Sequence, residues 1–295
     1  MEKAVLKLNI KSVFPMLILA LFSANLAADD SQPSEQIVVA TWHEIQSDIL
    51  KETRRYAVSL PPNYDQNESE HYPVLYVLDG HSVRIKGVVG MVESLSHYDL
   101  SQRIPQFIVV AIESDNRNFD MTPTQNDLAY NGEVLQNMKH NSGGARKFSE
   151  FIKTELFKDI DSKFRTNDSR GLVGMSLGGL LAADILLNSP NMFSHFLIAD
   201  ATYIWDDNYL NKTFLKSQQV LNDAKANVFI GLANNDHIGE IGIRNRQWGN
   251  DFINNLSTIN NEQLKVTSKY FADEQHGTVM FLAFYYGLIE LYGTN

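Results

Sequence analysis

An apolar run that ends abruptly at a serine between glycines constrains the fold of this chain more than any other stretch. The run is "RGLVGMSLGG", residues 170–179. Its first part, "GLVGM", has the continuous hydrophobicity of a strand that is buried on both faces. The following "SLGGLLAADILL" consists of good helix formers and stops at Asn188 to Pro190. We therefore expect the serine to lie at a sharp turn from a buried strand into a helix.

The same alternation of buried strands and helices continues along most of the chain. Apolar runs predict further strands at "RRYAVSL", "YPVLYVLDG", "FIVVAIES", "FSHFLIADA", "NVFIGLANND" and "LKVTSKYFAD". Three- and four-residue spacing predicts a helix in "GGARKFSEFIKTELFKDIDSKF", and the aromatic-rich "TVMFLAFYYGLIELYG" is predicted as the last helix. This order favours an α/β fold with a mostly parallel central sheet, helices on both faces and an antiparallel N-terminal part.

The N-terminus has the order of a secretory signal peptide. Lys3, Lys7 and Lys11 precede an apolar run from Val13 to about Ala27, and small residues and acids follow. We predict a cleavable signal peptide at residues 1–28, a periplasmic or secreted protein, and no stable membrane association after cleavage. An uncleaved anchor is the alternative, although a membrane span needs about 20 apolar residues and this run is shorter. No linker divides residues 29–295, which we predict to form a single domain.

Composition argues against nucleic acid as a partner and against disulfides, metals and other cofactors. The net charge of -10 and the pI near 5.2 argue against nucleic acid, which is held largely by lysine and arginine. The chain has no cysteine, so it forms no disulfides. It also lacks the H-E-x-x-H motif and clustered Cys/His ligands, and we expect neither a metal nor another cofactor. A small-molecule substrate remains the expected partner.

The serine stands in a G-x-S-x-G pattern, residues 174–178. The pattern alone is weak evidence, and a glycine-rich turn without chemistry is the alternative. Between a buried strand and a helix, however, it predicts a nucleophile elbow with Ser176 as the nucleophile. Backbone N–H groups are suitable donors to the oxyanion because they are fixed before the reaction. We expect these to be the N–H of Leu177, directly after the serine, and that of His81, after "VLYVLDG".

A serine hydroxyl needs a base, and the base needs a carboxylate to orient it. Only His237 and His276 follow late strands, and His276 is favoured because its loop lies between the last strand and the last helix. The acid is expected after the preceding strand. Asp236 and Glu240 both fit there, and Asp236 is preferred because it is closer to the strand end.

Taken together, these segments resemble the putative esterase family of α/β-hydrolases, which includes siderophore esterases and esterase D. The resemblance rests on "YPVLYVLDG", "IVVAIESDNRNFDMTPT", the segment from "GGARKF" to "FLIAD", and the "HG" at 276–277. It implies an α/β-hydrolase fold, Ser176 as nucleophile, His276 as base and the amide of His81 as oxyanion donor. The chain departs from the family pattern at two positions. Met175 stands where the family often has His, and Phe119 stands where the family has a second arginine.

The resemblance also suggests substrate contacts. Trp205 follows the strand after the nucleophile helix, where the family places aromatic residues that line the pocket, although a core tryptophan is the alternative. Arg117 is expected to pair with a substrate carboxylate, or with Asp115 or Asp120. The long polar stretch of residues 114–144 is expected to border the site.

We therefore expect an exported serine carboxylic-ester hydrolase that acts on small acyl, aryl or siderophore-type esters. An acyltransferase and a non-catalytic binding protein on a hydrolase fold are the alternatives.

Overall fold

A computed structural model describes residues 36–97 and 102–293. The predicted signal peptide lies outside these residues. Ten strands are described: β1 Thr41–Ser47, β2 Glu52–Ser59, β3 Tyr72–Val77, β4 Ile108–Ile112, β5 Leu128–Tyr130, β6 Glu133–Gln136, β7 Thr166–Met175, β8 His195–Ala199, β9 Ala226–Ala233 and β10 Leu264–Phe271. Each strand predicted from an apolar run corresponds to one of these, whereas β1, β5 and β6 were not predicted.

Eight strands form the central sheet in the order β1-β2-β4-β3-β7-β8-β9-β10. The six strands from β4 to β10 in this order run parallel to one another, whereas β1 and β2 pair antiparallel at one side. This arrangement confirms the predicted mostly parallel sheet with an antiparallel entry. Because parallel strands end at the same edge, the loops after β3, β7, β8, β9 and β10 all emerge at one end of the sheet.

The α-helices are α1 Ser82–Ser96, α2 Arg117–Met121, α3 Ala145–Phe151, α4 Phe157–Lys163, α5 Leu177–Asn188, α6 Tyr209–Asn222, α7 Glu240–Ser257 and α8 Val279–Tyr292. A π-helical turn, Ile152–Leu156, joins α3 to α4 without a break, so the helix predicted there is continuous but contains a π-helical turn. In the part of the chain described, no helix combines the length and the apolar character needed to cross a membrane.

Two hydrophobic cores lie on opposite faces of the sheet. Alternation along β8 shows why: Phe196 and Ile198 enter the core beneath α3 to α7, whereas Leu197 enters the core beneath α1 and α8. Helix α5 is buried along nearly its whole length, which explains its uniformly apolar sequence. Both faces of the parallel strands are therefore covered, and their carboxyl ends are held rigidly.

The polar stretch of residues 114–144 is an ordered excursion from the sheet. It contains α2 and a separate antiparallel hairpin of β5 and β6. The carboxylate of Asp127 closes the base of this hairpin by accepting the backbone N–H groups of Met138 and Lys139, at 2.7 and 2.8 Å.

Candidate active site

Ser176 occupies the sharp turn between β7 and α5. Its backbone has φ 59° and ψ −120°, a conformation that costs energy for a residue with a side chain and persists only where its surroundings enforce it. One such constraint is the Ser176 N–H, which donates to Ala199 O at 3.1 Å. The strained serine is therefore held at the carboxyl end of β7, at the start of a helix.

The glycines on either side of Ser176 make the turn possible. A Cβ on Gly174 would lie 2.2 Å from Gly178 O, so any side chain there would push the strand and the helix apart. A Cβ on Gly178 would lie 3.2 Å from Asp79 Oδ2, so this glycine admits the loop after β3 against the elbow. The G-x-S-x-G spacing follows from these two close approaches.

His276 lies in the loop between β10 and α8 and contacts both a hydroxyl and a carboxylate. Its Nε2 is 3.0 Å from Ser176 Oγ, and its Nδ1 is 2.6 Å from Asp200 Oδ2. Because a carboxylate accepts, Nδ1 carries the proton, which leaves Nε2 free to accept the serine proton. The imidazole is 39% exposed. This series of serine, imidazole and carboxylate is able to deprotonate the serine hydroxyl.

Asp200 directly follows β8, and its side chain is fully buried. Its Oδ1 accepts the backbone N–H of Ala233 at 3.1 Å, and its Oδ2 accepts Asn235 Nδ2 at 2.9 Å as well as the imidazole. A buried carboxylate is tolerated only when such donors replace water. Asp200 is thus a fixed acceptor for His276.

The prediction that Asp236 contacts the histidine was wrong. The Asp236 carboxylate is half-exposed and forms an ion pair with Arg246 at 2.6 Å. Asp236 lies beyond the end of β9 in a short 3₁₀ turn, so its side chain points toward α7. The alternative, Glu240, is the first residue of α7 and is exposed. The structure places Asp200 in this position instead.

Asp200 had a recognisable signal in the sequence. It is the charged residue that ends the apolar run "FLIAD", at the carboxyl end of a predicted strand beside the serine strand. The order of serine, acid and histidine that is usual for the elbow motif is met by Asp200 as well as by Asp236, so chain order alone does not distinguish the two.

The two predicted oxyanion donors differ in their environment. Leu177 is the first residue of α5, so its N–H has no carbonyl partner within the helix. The N–H of His81 donates to Asp79 O at 2.8 Å. His81 follows β3, the neighbour of β7, and immediately precedes α1.

Arg117 pairs with Asp79 and not with the expected Asp115 or Asp120. Its Nε and Nη2 bind the two Asp79 oxygens at 2.6 and 3.1 Å, and Arg84 Nη1 binds the same carboxylate at 2.9 Å. Two cations on one carboxylate leave a net positive charge beside the elbow. Arg84 is largely buried, whereas 36% of the Arg117 side chain is exposed.

Trp205 does not line a substrate pocket. Its side chain is fully buried, and its indole Nε1 donates to Thr124 Oγ1 at 2.9 Å. The indole fills the core below α5 and α6 and anchors the excursion of residues 114–144. The expectation of substrate contact is corrected to the alternative, a core tryptophan.

A mainly parallel sheet with a serine at a strained strand-to-helix turn is the architecture of α/β-hydrolases. The chain belongs to the esterase family, described as "Putative esterase", whose model matches residues 47–238. It is a serine carboxylic-ester hydrolase, as the resemblance predicted.

Curated relatives are about one quarter identical to the chain. Ferri-bacillibactin esterase BesA of Bacillus subtilis is 26% identical over 55% of this chain and 58% of its own length. Apo-salmochelin esterase of Escherichia coli O6:H1 is 26% identical over 50% of this chain and 48% of its own length. The uncharacterised protein YbbA of Bacillus subtilis is 27% identical over 62% of this chain and 69% of its own length. The chain thus spans between about half and two thirds of these relatives.

Solved structures share the fold over most of the chain. An IroE-like serine hydrolase from Shewanella oneidensis superposes with a TM-score of 0.77 and 31% identity, covering 86% of this chain and 80% of that one. The BES protein of Bacillus cereus gives a TM-score of 0.72 at 23% identity, covering 88% and 98%. The latter similarity supports the fold alone.

Proposed function

We propose that this protein is an exported serine esterase in which Ser176, His276 and Asp200 form the catalytic triad. The observation that carries the proposal is the unbroken series from Ser176 Oγ through the imidazole to Asp200, with separations of 3.0 and 2.6 Å. Export rests on the signal-like order of residues 1–28.

The reaction proceeds through an acyl-enzyme. His276 Nε2 takes the hydroxyl proton while Ser176 Oγ attacks the ester carbonyl, and the carbonyl oxygen becomes an oxyanion. Collapse of this intermediate breaks the bond to the alcohol, which leaves with the proton from Nε2. Water then repeats the sequence on the acyl-enzyme and releases the acid. Asp200 holds the Nδ1–H tautomer and stabilises the imidazolium formed in each half.

The N–H of Leu177 is the first oxyanion donor, because it lies at the positive end of α5. The N–H of His81 is the second. It donates to Asp79 O in the free enzyme, so it has to turn toward the oxyanion when substrate binds.

The proposed substrate is a siderophore-type ester. Two relatives are named for ferri-bacillibactin and apo-salmochelin ester cleavage. The exposed part of Arg117, in a cluster with net positive charge, suits an anionic group on the substrate. The partly exposed imidazole is consistent with access for a bulky ester.

Replacement of the nucleophile tests this proposal. We expect Ser176→Ala to lower the turnover of p-nitrophenyl butyrate by about 10,000-fold or more, because the nucleophile is lost. Wild-type protein should also become labelled by a fluorophosphonate probe, and Ser176→Ala should not.

A matched control is Ser257→Ala, at the exposed end of α7, which should retain full activity. Hydrolysis that persists in Ser176→Ala would refute the mechanism. Substrate class is tested separately by comparing apo and ferric trilactones with feruloyl esters. A preference for feruloyl esters would refute the siderophore assignment while leaving the triad intact.

A further inference from the structure

Asn235 is a buried amide that joins two parts of the proposed triad. It lies just beyond the end of β9 and is only 2% exposed. Its Nδ2 donates to Asp200 Oδ2 at 2.9 Å, and its Oδ1 accepts the backbone N–H of His276 at 2.8 Å. One side chain therefore contacts the carboxylate and the backbone of the residue that carries the imidazole.

The orientation of this amide is determined by its two partners. A carboxylate only accepts and a backbone N–H only donates, so exchange of the amide nitrogen and oxygen would break both bonds. The amide also shares Oδ2 of Asp200 with the imidazole. Asp200, Asn235 and His276 consequently form a closed ring of hydrogen bonds, which fixes the carboxylate relative to the imidazole from two directions.

The neighbouring asparagine strengthens this connection. The N–H of Asn234 donates to Glu274 O at 2.7 Å, and its Nδ2 donates to Ala272 O at 2.9 Å. Together the two asparagines attach the loop before His276 to the end of β9 at three points. The loop itself has few apolar anchors, since the residues from 272 to 278 are exposed or half-buried.

Other charged groups near this loop do not contact the carboxylate of Asp200 or the imidazole of His276 in the hydrogen bonds and ion pairs of the described residues. Asp236 and Arg246 pair with each other at 2.6 Å, and Arg246 also contacts Asn234 Oδ1 at 3.3 Å. Asp273 is exposed on the loop and Glu274 is half-buried beside it. In the loop after β9, Asn235 and not the neighbouring Asp236 contacts the triad, and its amide supports the acid that follows β8.

We propose that Asn235 is a positioning residue for the esterase reaction: it locks Asp200 and the His276 backbone in the geometry that proton transfer from Ser176 requires. This inference rests on the proposed triad. Misplacement of a catalytic group by about 1 Å costs on the order of 100-fold in rate, so an anchor of this kind acts on kcat more than on substrate binding.

The test compares three variants with p-nitrophenyl butyrate as the substrate. We expect Asn235→Ala to lower kcat by about 10- to 100-fold and to change KM by less than about 3-fold, because the imidazole is misplaced while the binding surface is unchanged. Asn235→Asp has the same size and retains the acceptor for the His276 N–H. It replaces the donor to Asp200 with a second carboxylate beside Asp200 Oδ2, and repulsion between these two buried like charges should lower kcat at least as far as in Asn235→Ala.

The matched control is Asn211→Ala. Asn211 is also buried and its amide makes three hydrogen bonds, to Asn208, Trp248 and Asn255, none of them to the triad. This variant should lose stability without losing kcat. The low-field proton resonance of the His276 Nδ1–H should be present in wild type and Asn211→Ala, and weakened or absent in Asn235→Ala.

Unchanged kcat in folded Asn235→Ala, or a loss no larger than that in Asn211→Ala, would overturn the proposal. If both Asn235 variants fail to fold while Asn211→Ala folds, Asn235 serves folding and the proposal is equally overturned. Ser176→Ala in the same assay distinguishes failure of the proposed serine mechanism from failure of the positioning role of Asn235. If it is inactive and the Asn235 variants are normal, only the positioning role fails.

Discussion

Each end of the parallel sheet holds a histidine, and the two imidazoles have opposite environments. At the carboxyl ends of the strands, His276 is partly exposed and contacts a buried carboxylate and a serine hydroxyl. At the amino end of β8, His195 stacks on Tyr292 with ring centroids 4.1 Å apart. Its ring nitrogens contact Ser194 Oγ and Asn227 Nδ2, both neutral. Burial lowers the pKa of His195 to about 4.

The two ends of the sheet also differ in their backbone conformation and in how buried polar groups are paired. Asp79, Ser176 and Asp200 directly follow or closely follow strands at the carboxyl end, and all three have positive φ, from 38° to 59°. Such strain is tolerated where surrounding hydrogen bonds enforce it. At the amino end, the Tyr72 and Tyr292 hydroxyls are buried without a hydrogen-bond partner among the described residues.

A neighbouring carboxylate, and not burial alone, distinguishes the proposed catalytic histidine, His276, from the buried His195. His195 lacks an opposite charge, so burial favours its neutral form and no partner stabilises a proton on it. In the proposed mechanism, Asp200 stabilises the imidazolium that forms on His276 during catalysis. This difference between the two histidines can be tested by removing the carboxylate of Asp200 at one end or the imidazole of His195 at the other.

The largest effect is expected for Asp200→Asn. This substitution preserves the shape of the side chain but removes the charge and allows the wrong imidazole tautomer. We therefore expect kcat to fall by about 1,000- to 10,000-fold, as in triads where the acid is replaced by its amide. The measurement is steady-state hydrolysis of p-nitrophenyl butyrate, with circular dichroism to verify folding.

Asp236→Asn is the paired control. It removes only a half-exposed ion pair with Arg246, and such pairs contribute little to stability. Its kcat should stay within about 3-fold of wild type. A larger loss of kcat in Asp236→Asn than in Asp200→Asn would favour Asp236 as the triad acid, as predicted from the sequence. It would contradict the assignment of Asp200 to that role.

The fold was predictable because its signals are local. Buried strands such as "YPVLYVLDG" and "GLVGM" read as continuous apolar runs, and the helix after Ser176 begins and ends with clear sequence signals. Helix α1 was missed because glycines and a lysine interrupt its pattern, "SVRIKGVVGMVESLS". Its apolar residues, among them Ile85, Val88 and Val92, are recognisable once the face toward the sheet is known.

The site was only partly predictable, since part of it depends on contacts between distant strands. Ser176 and His276 were placed by motif and order, and they meet as expected. The choice between Asp200 and Asp236 depends on which strand end lies under the imidazole, which local sequence does not encode. Trp205 was misjudged for a similar reason: its position after a strand was correct, but its side chain faces the core.

A smaller effect, on stability, is expected for His195→Phe. Because its pKa is lower in the folded protein than in the unfolded chain, wild type loses stability from this residue as the pH falls from 6.5 toward 4. Phenylalanine retains the stack on Tyr292 without titrating. Between pH 7.5 and pH 5, the unfolding free energy of the variant should fall by about 2 kcal/mol less than that of wild type.

Urea unfolding at several pH values measures this difference, and kcat at pH 7.5 should be unchanged because the residue is at the opposite end from Ser176. The control is His71→Ala, which removes an exposed histidine near the start of β3 and should keep the wild-type pH dependence. Parallel stability curves for wild type and His195→Phe would contradict the assignment of His195 as a buried neutral imidazole.

The smallest effect is expected for Asp184→Asn, on α5, the helix that follows Ser176. Asp184 is buried and accepts Tyr209 Oη at 2.7 Å and Asn188 Nδ2 at 2.9 Å, and burial raises its pKa to about 6. Since the folded pKa is raised, this carboxyl costs stability as the pH rises from 3.8 through 6, the opposite sense to His195.

An amide oxygen can accept from the same two donors without ionising. The variant should therefore gain about 1 to 2 kcal/mol over wild type between pH 5 and pH 7.5 in urea unfolding, with kcat unchanged. A constant difference across this range would contradict the raised pKa of Asp184.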